Sequence, residues 1–210
     1  MKNRIFYPFL IFFILSSFIM RAQELQINSE KVQYDNIEKI TTFEGGVNSR
    51  DEKGNNLFSE YAKYNNLEDI VETTGETKIV TSGGYSVLGT NIIFDNKKKS
   101  IHSDFKTQII DVDGNKIFVD MFSYSTLTNI FFSKGNIELY DINNNSYKFS
   151  EIYIDENKKK IVGSDAKVFL DPENISANIK NEPRFFANTV SLSNNISTSN
   201  KGIFTYCKNR

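Results

Sequence analysis

The chain has 210 residues, with 25 Lys and Arg against 26 Asp and Glu, so it lacks the basic excess that would hold nucleic acid or an anionic bilayer through bulk electrostatics. Its length suits one or two small domains. With 18 Phe, 10 Tyr, no Trp and only 3 Pro, and with abundant Ile, Val, Thr and Asn, it favours strands and tight turns over helices.

The N-terminal segment 1–22 stands apart. Lys2 and Arg4 precede an apolar run from Ile5 to Met20, the layout of a secretory signal peptide cut after Ala22. A retained membrane anchor is the alternative, but the run falls short of the roughly 20 apolar residues that span a bilayer. Met20 is bulky for its place three residues before that cut, so the position of the cut stays open. No Cys stands at the junction to carry a lipid. Removal of residues 1–22 leaves a mildly acidic, exported chain. One Cys in the whole sequence cannot build an internal disulfide framework, so the fold must rest on backbone pairing and apolar burial.

From Ile27 onward the chain repeats itself. Tyr34, Tyr64, Phe94, Tyr124 and Ile154 recur at one constant interval, with no gap. Two positions earlier stand Val32, Ala62, Ile92, Phe122 and Ile152. Residues two apart share one face of a strand, so these two columns predict a single apolar stripe. Pairs such as Asp35-Asn36, Asn65-Asn66 and Asp95-Asn96 follow, and short polar side chains of this kind close turns. A return strand begins at Thr41, Val71, Ile101, Phe131 and Ile161. Gly45, Gly75 and Gly135 mark a kink or bulge in it, with Phe105 and Asp165 departing from that column. A third apolar column follows at Ser49, Ile79, Ile109, Leu139 and Phe169, before "EKGNN", "VDGN" or "INNN" turns the chain again. No such unit can bury its stripe alone, but stacked units can. The expected fold is all-β and antiparallel. The first and last strands of the strip, around Ile27–Tyr34 and Ala166–Phe169, should be unpaired edges.

After Phe169 the pattern stops. Residues 171–210 are rich in Asn and Ser, hold two of the Pro residues, and read as a linker with at most a few short strands. An end three residues after Cys207 is odd for a mature protein and suggests a truncated one.

The candidate sites are few. His102 is the only histidine, which excludes a His-based triad and most multi-His metal sites; one residue into a return strand, it reads as an exposed strand residue. "DVDGN" at 111–115 resembles the start of a calcium loop, but the twelfth position is Phe122 rather than the bidentate Glu, so a hairpin turn is expected. Lys97–Lys99 and Lys158–Lys160 fall at nearly the same place in two repeats and read as solvated turns, with contact to phosphate groups as the alternative. The carboxylates are scattered, without a repeated pair suited to glycoside chemistry. No catalytic, metal or cofactor set is evident, and an enzyme is not expected. The apolar stripe is left. It is either a filled core or the inner face of an incompletely closed trough that takes an apolar ligand. In the second case Val32, Tyr34, Ala62, Tyr64, Ile92, Phe94, Phe122, Tyr124 and Ile152 face the ligand, and Phe122→Asp leaves the sheet folded because the unfilled trough keeps that position wet.

The units "LFSEYAKYNNLEDIVETTGETKI" and "YSVLGTNIIFDNKKKSIHS" resemble repeats of the OstA-like domain over residues 23–170. That domain forms the LptA family of periplasmic lipopolysaccharide-transport proteins and the N-terminal part of the LptD family of outer-membrane assembly proteins. The tail "NEPRFFANTVSLSNNISTSNKGIFTYCKNR" resembles the LptD-family link that precedes the β-barrel, through Gly202, Phe204, Thr205, Cys207 and Lys208. No barrel follows, and no Cys lies near the mature N-terminus. The resemblance implies an antiparallel β-jellyroll, open along one seam, that shields lipid A acyl chains on the periplasmic side of the outer membrane. It implies end-to-end joining with an LptA-type jellyroll by edge-strand pairing, an LptE-type lipoprotein partner for a full-length protein, and a disulfide from Cys207 to a Cys in further sequence. A freestanding LptA-like bridge and a structural or adhesive repeat module remain as alternatives.

Overall fold

The computed structural model describes residues 26–50, 54–175, 182–193 and 196–206; the expected leader, residues 1–22, and Cys207 lie outside them. The chain crosses back and forth in antiparallel passes. β1 (Gln26–Asn28) and β2 (Lys31–Asp35) form the first, and β3 (Ile40–Arg50), β4 (Asn56–Asn65) and β5 (Ile70–Val80) follow as long strands. The next three passes are split: β6 (Ser86–Thr90) with β7 (Ile93–Asp95), β8 (Ser100–Ser103) with β9 (Thr107–Ile110), and β10 (Lys116–Val119) with β11 (Phe122–Ser125). β12 (Ile130–Tyr140), β13 (Ser146–Asp155), β14 (Lys160–Phe169) and β15 (Arg184–Ser193) are long again, and β16 (Ile196–Asn200) with β17 (Ile203–Thr205) closes the series. Each pass pairs with the one before and the one after, so the result is one 17-stranded meander.

A crease runs across the middle of every pass. Gly45, Gly75 and Gly135 take φ values of 76°, 80° and 110° there, a conformation that a Cβ disfavours. The pairing slips by one residue at the same level, between Glu44 and Val47, Ser59 and Tyr61, and Lys134 and Ile137. Asp165, which breaks the glycine column in the sequence, adopts a φ of 52° and accepts a hydrogen bond from Ser150 Oγ at 2.6 Å. At Phe105 the pass is interrupted instead, between β8 and β9. The crease divides the sheet into two halves whose inner faces pack on each other. Ile92, Phe122 and Ile152 from one half and Ile79, Val119 and Ile137 from the other form the buried core.

Each half ends in a row of hairpin turns. On one side the turns at 35–39, 65–69, 95–99, 125–129 and 155–159 follow a common plan. The first side chain caps the turn: Asp35 Oδ1 accepts the N–H groups of Ile37 and Glu38 at 2.7 and 3.0 Å, Asn65 Oδ1 accepts those of Leu67 and Glu68, and Asp95, Ser125 and Asp155 each accept the N–H three residues on. The last residue of each turn (Lys39, Asp69, Lys99, Asn129, Lys159) has a positive φ. Successive turns are also bonded to each other. Asn66 N–H donates to Lys39 O, Asn96 to Asp69 O, Thr126 to Lys99 O and Glu156 to Asn129 O, at 2.8–3.1 Å. The period of the sequence therefore fixes the contact between repeats as well as the fold within each.

These caps make stability pH-dependent in a defined direction. Backbone N–H groups of Glu38 and Ile37 hold the Asp35 carboxyl below its ordinary pKa, the N–H and ammonium of Lys98 do so for Asp95, and the ammonium and N–H of Lys158 for Asp155. A carboxyl whose pKa is lowered by folding stabilises the fold at pH above its ordinary value, and that contribution is lost as pH falls through the lowered one. The thermal midpoint should hold from pH 7 down to about 4 and then fall. A chain with Asn at all three positions should show a shallower acid decline, and an identical decline would assign the acid sensitivity to other groups.

Two expectations about the ends of the sheet are corrected. β14 is not an edge: its residues pair with β13 on one side and with β15 on the other. The expected linker contains β15, ten residues long. Phe185, Val190 and Leu192 of "RFFANTVSLS" lie opposite Val168, Gly163 and Ile161, so they continue the apolar pattern across the boundary. Among the described residues β1 and β2 pair only with β3 and form the N-terminal edge, as expected.

Candidate functional site

The registers assemble two apolar rows that run across the strands, one in each half of the sheet. The first passes from Tyr34 through Thr41, Tyr64, Val71, Phe94 and Ile101. It continues through Tyr124, Phe131, Ile154 and Ile161 to Leu192. The second passes from Ile27 through Ser49, Leu57, Ile79, Val87, Ile109 and Ile117. It ends in Leu139, Tyr147, Val168, Phe185 and Phe204. Val168 replaces the Phe169 of the sequence column, because β13 and β14 keep one register through the crease instead of slipping.

The nine residues singled out from the sequence fall into three groups. Ala62, Ile92, Phe122 and Ile152 are buried at the crease, at 3%, 0%, 4% and 3% exposure. Tyr64, Phe94 and Tyr124 are half-buried on the first row. Val32 and Tyr34, expected to face the interior, are 57% and 55% exposed, because the edge strand β2 has a neighbour on one side only. The burial of Phe122 also corrects the expectation that this position stays wet. Its ring stacks on Phe131 at 6.1 Å with an interplanar angle of 10°.

One column escaped the sequence analysis. Thr73, Ser103, Ser133 and Gly163, which keep the same period, lie beside Ile92, Phe122 and Ile152 at the crease. Thr73 Oγ1 accepts the Ile92 N–H at 2.9 Å, Ser103 Oγ donates to Thr90 O and Ser133 Oγ donates to Met121 O, both at 2.7 Å. These hydroxyls occupy backbone groups that the broken ladder leaves over, which must be paired when buried. Gly163 makes room for the Phe149 ring. Their signal was a period of small residues, and apolar periodicity does not register it.

Tyrosines mark the rims. Tyr64 OH donates to Asp69 Oδ1 at 2.9 Å, Tyr124 OH to Glu156 Oε2 at 3.0 Å, and Tyr147 OH to Asp141 Oδ2 at 2.9 Å. Burial and the adjoining carboxylates raise all three phenols, Tyr124 and Tyr147 to about 12, so they stay neutral, with rings inward and hydroxyls at the turns. Burial also raises Tyr85, and Glu156 of the opposite row of turns adds to it.

Of the remaining candidates, Asp111 Oδ1 accepts the N–H groups of Asp113 and Asn115 at 2.9 Å each, making "DVDGN" a hairpin turn. His102 is half-buried between Ile93 and Ser123 rather than exposed. Among the described residues no cluster of His, Cys, Asp or Glu is suited to a metal ion.

In class, this is an all-β chain whose repeats form a creased antiparallel sheet around two apolar rows. The sequence matches no family model and no curated protein. Among solved structures the chain is similar to the crystal structure of LptH, the LptA-homologous periplasmic component of the conserved lipopolysaccharide transport device from Pseudomonas aeruginosa. The TM-score is 0.29 and the identity 10%, with 68% of this chain and 82% of that chain covered.

Proposed function

We propose that the protein is a non-enzymatic carrier that shields the acyl chains of lipopolysaccharide between its two apolar rows. The observation that carries this reading is the continuity of the rows. Each spans the sheet from its first pass to its last passes, beyond the buried cluster of Ile79, Ile92, Val119, Phe122, Ile137 and Ile152 at its middle. The resemblance of the repeats to OstA-like units and of the tail to the LptD-family link supports the same reading. Transfer of acyl chain from water is worth about 0.8 kcal/mol per CH₂, so a single chain supplies on the order of 10 kcal/mol. A row of similar sites lets such a ligand move from unit to unit, where one deep pocket would hold it.

In this reading the chain is exported to the periplasmic side of the outer membrane. It forms the N-terminal jellyroll of an LptD-type protein, docks an LptA-type jellyroll on the β1–β2 edge, and works with an LptE-type lipoprotein when full length. A freestanding LptA-like bridge shares the mechanism. The buried cluster around Ile92 and Ile137 favours a second reading, a packed structural module.

A photo-crosslinker at Tyr124 should capture lipopolysaccharide, while one at Phe58, on the outer face of β4 and 41% exposed, should not. Equal capture at both positions would mean surface stickiness. Capture at Phe58 alone would move the ligand to the outer face, and capture at neither would leave the packed module.

A further inference from the structure

The crease holds a line of buried hydroxyls inside an apolar interior. Ser59, Thr73, Thr77, Ser103, Thr107 and Ser133 lie along it and are all buried. Thr77 Oγ1 donates to Thr73 Oγ1 at 2.7 Å across Gly75, and Thr107 Oγ1 donates to Phe105 O at 3.0 Å. The Ser103 bond to Thr90 O joins β8 in one half to β6 in the other, and Ser133 reaches Met121 between β10 and β11. The ladder is broken along the same line. The passes β6–β7, β8–β9 and β10–β11 have no strand residue at 91–92, 104–106 and 120–121. The flanking strands β5 and β12 cross it through Gly75 and Gly135.

Apolar bulk is concentrated over these three split passes. Ile79, Ile92, Val119, Phe122, Ile137 and Ile152 form the buried cluster there, all between β5 and β13. Toward either end of the sheet the buried apolar residues at the crease are smaller: Val47 and Ala62 on one side, Ala166 and Ala187 on the other. The two rows run past the cluster in both directions, so a ligand that follows them meets a plug at mid-length. That plug sits on the part of the sheet least tied across the fold line. Parting the halves there exchanges hydroxyl bonds for bonds to water, at little net cost. The apolar side chains that separate regain their burial against an acyl chain.

We propose that the crease is a hinge, and that the two halves part across the split passes to admit acyl chains past the cluster around Phe122. The packed arrangement is the closed state, latched by Ser103 and Ser133. The proposal rests on the carrier reading and adds a moving part to it. A ligand that fits only the open form shifts the population toward that form. One pass reports the angle at the crease. If flat, the pass Lys116–Ser125 would hold its two end turns about 33 Å apart, and folding at 120–121 shortens that distance.

The test places spin labels at D113C and L127C, exposed in the turns at the two ends of that pass, in the full chain with C207S. A control pair, L67C and L127C, sits on one rim. Purified lipopolysaccharide should shift the 113–127 distance upward and leave the 67–127 distance unchanged. Without ligand, S103A combined with S133A should raise the open-to-closed ratio on the order of ten-fold or more, because Thr90 O and Met121 O then lack a partner only in the closed form. S103A or S133A alone, with a smaller shift, serves where the double variant does not fold. A photo-crosslinker at Tyr124 reports binding independently. Capture at Tyr124 with the 113–127 distance unchanged would overturn the hinge and keep the carrier. Equal shifts in both pairs would mean general loosening of the sheet and would also overturn it. No capture at Tyr124 would remove the carrier reading, and the hinge would then stand or fall with the S103A and S133A shift in the free protein.

Discussion

Phe122→Asp is expected to unfold the protein. Phe122 is 4% exposed, stacks on Phe131, and packs among Ile92, Val119, Ile137 and Ile152. Truncating a buried Phe costs about 3–5 kcal/mol through lost transfer and the cavity left behind. An ionised carboxylate there adds a desolvation penalty of several kcal/mol unless it is protonated. Its neighbours across the ladder on either side, Ser103 and Ser133, already spend their hydroxyls on Thr90 O and Met121 O. The sum, about 5 kcal/mol or more, is comparable to the whole stability of an ordinary domain. Urea unfolding followed by circular dichroism is the direct check. A variant with wild-type secondary structure and midpoint would mean that water reaches this position and that the interior is not packed.

A second large effect should depend on place within a single sequence column. Ile92→Ala, at a fully buried site, should lower stability by about 2–5 kcal/mol. Val32→Ala removes a similar apolar group from the same column of the repeat, but at an exposed edge, and should change stability by less than about 0.5 kcal/mol. Ala62 already shows that the column accepts a small residue between those two units. Equal losses at Val32 and Ile92 would mean that the N-terminal edge is covered in solution, and a test at high dilution would separate self-association from an intrinsic effect.

Much of this architecture is legible in the sequence because a β-repeat writes its geometry twice, once as side-chain alternation and once as turn chemistry. The Tyr34–Ile154 column and the Asx pairs locate every hairpin on one side of the sheet. Gly45, Gly75 and Gly135 locate the crease, and even Asp165 keeps the backbone angle of the glycines it replaces. Three features were not legible, each for a physical reason. Exposure at Val32 and Tyr34 depends on the absence of a neighbouring strand, which no local pattern records. The hydroxyl column Thr73, Ser103 and Ser133 is polar, so an apolar periodicity misses it, although it is as regular as the rest. β15 was hidden by the Asn- and Ser-rich composition around it. Phe185, Val190 and Leu192 do not follow a single alternation, and their places emerge only against the register of β14.

The meander has a consequence for how the sheet can be assembled. Among the described residues no strand pairing joins positions farther apart along the chain than Lys160 and Ser193, whereas many all-β folds join distant segments before any of their strands is secure. Here each hairpin finds its landing edge in the hairpin made just before it, down to the turn-to-turn bonds such as Asn96 N–H to Asp69 O. The sheet can grow in the order in which the polypeptide is delivered, one repeat at a time. At each stage it presents a single live growing edge, and it never has to wait for its C-terminus.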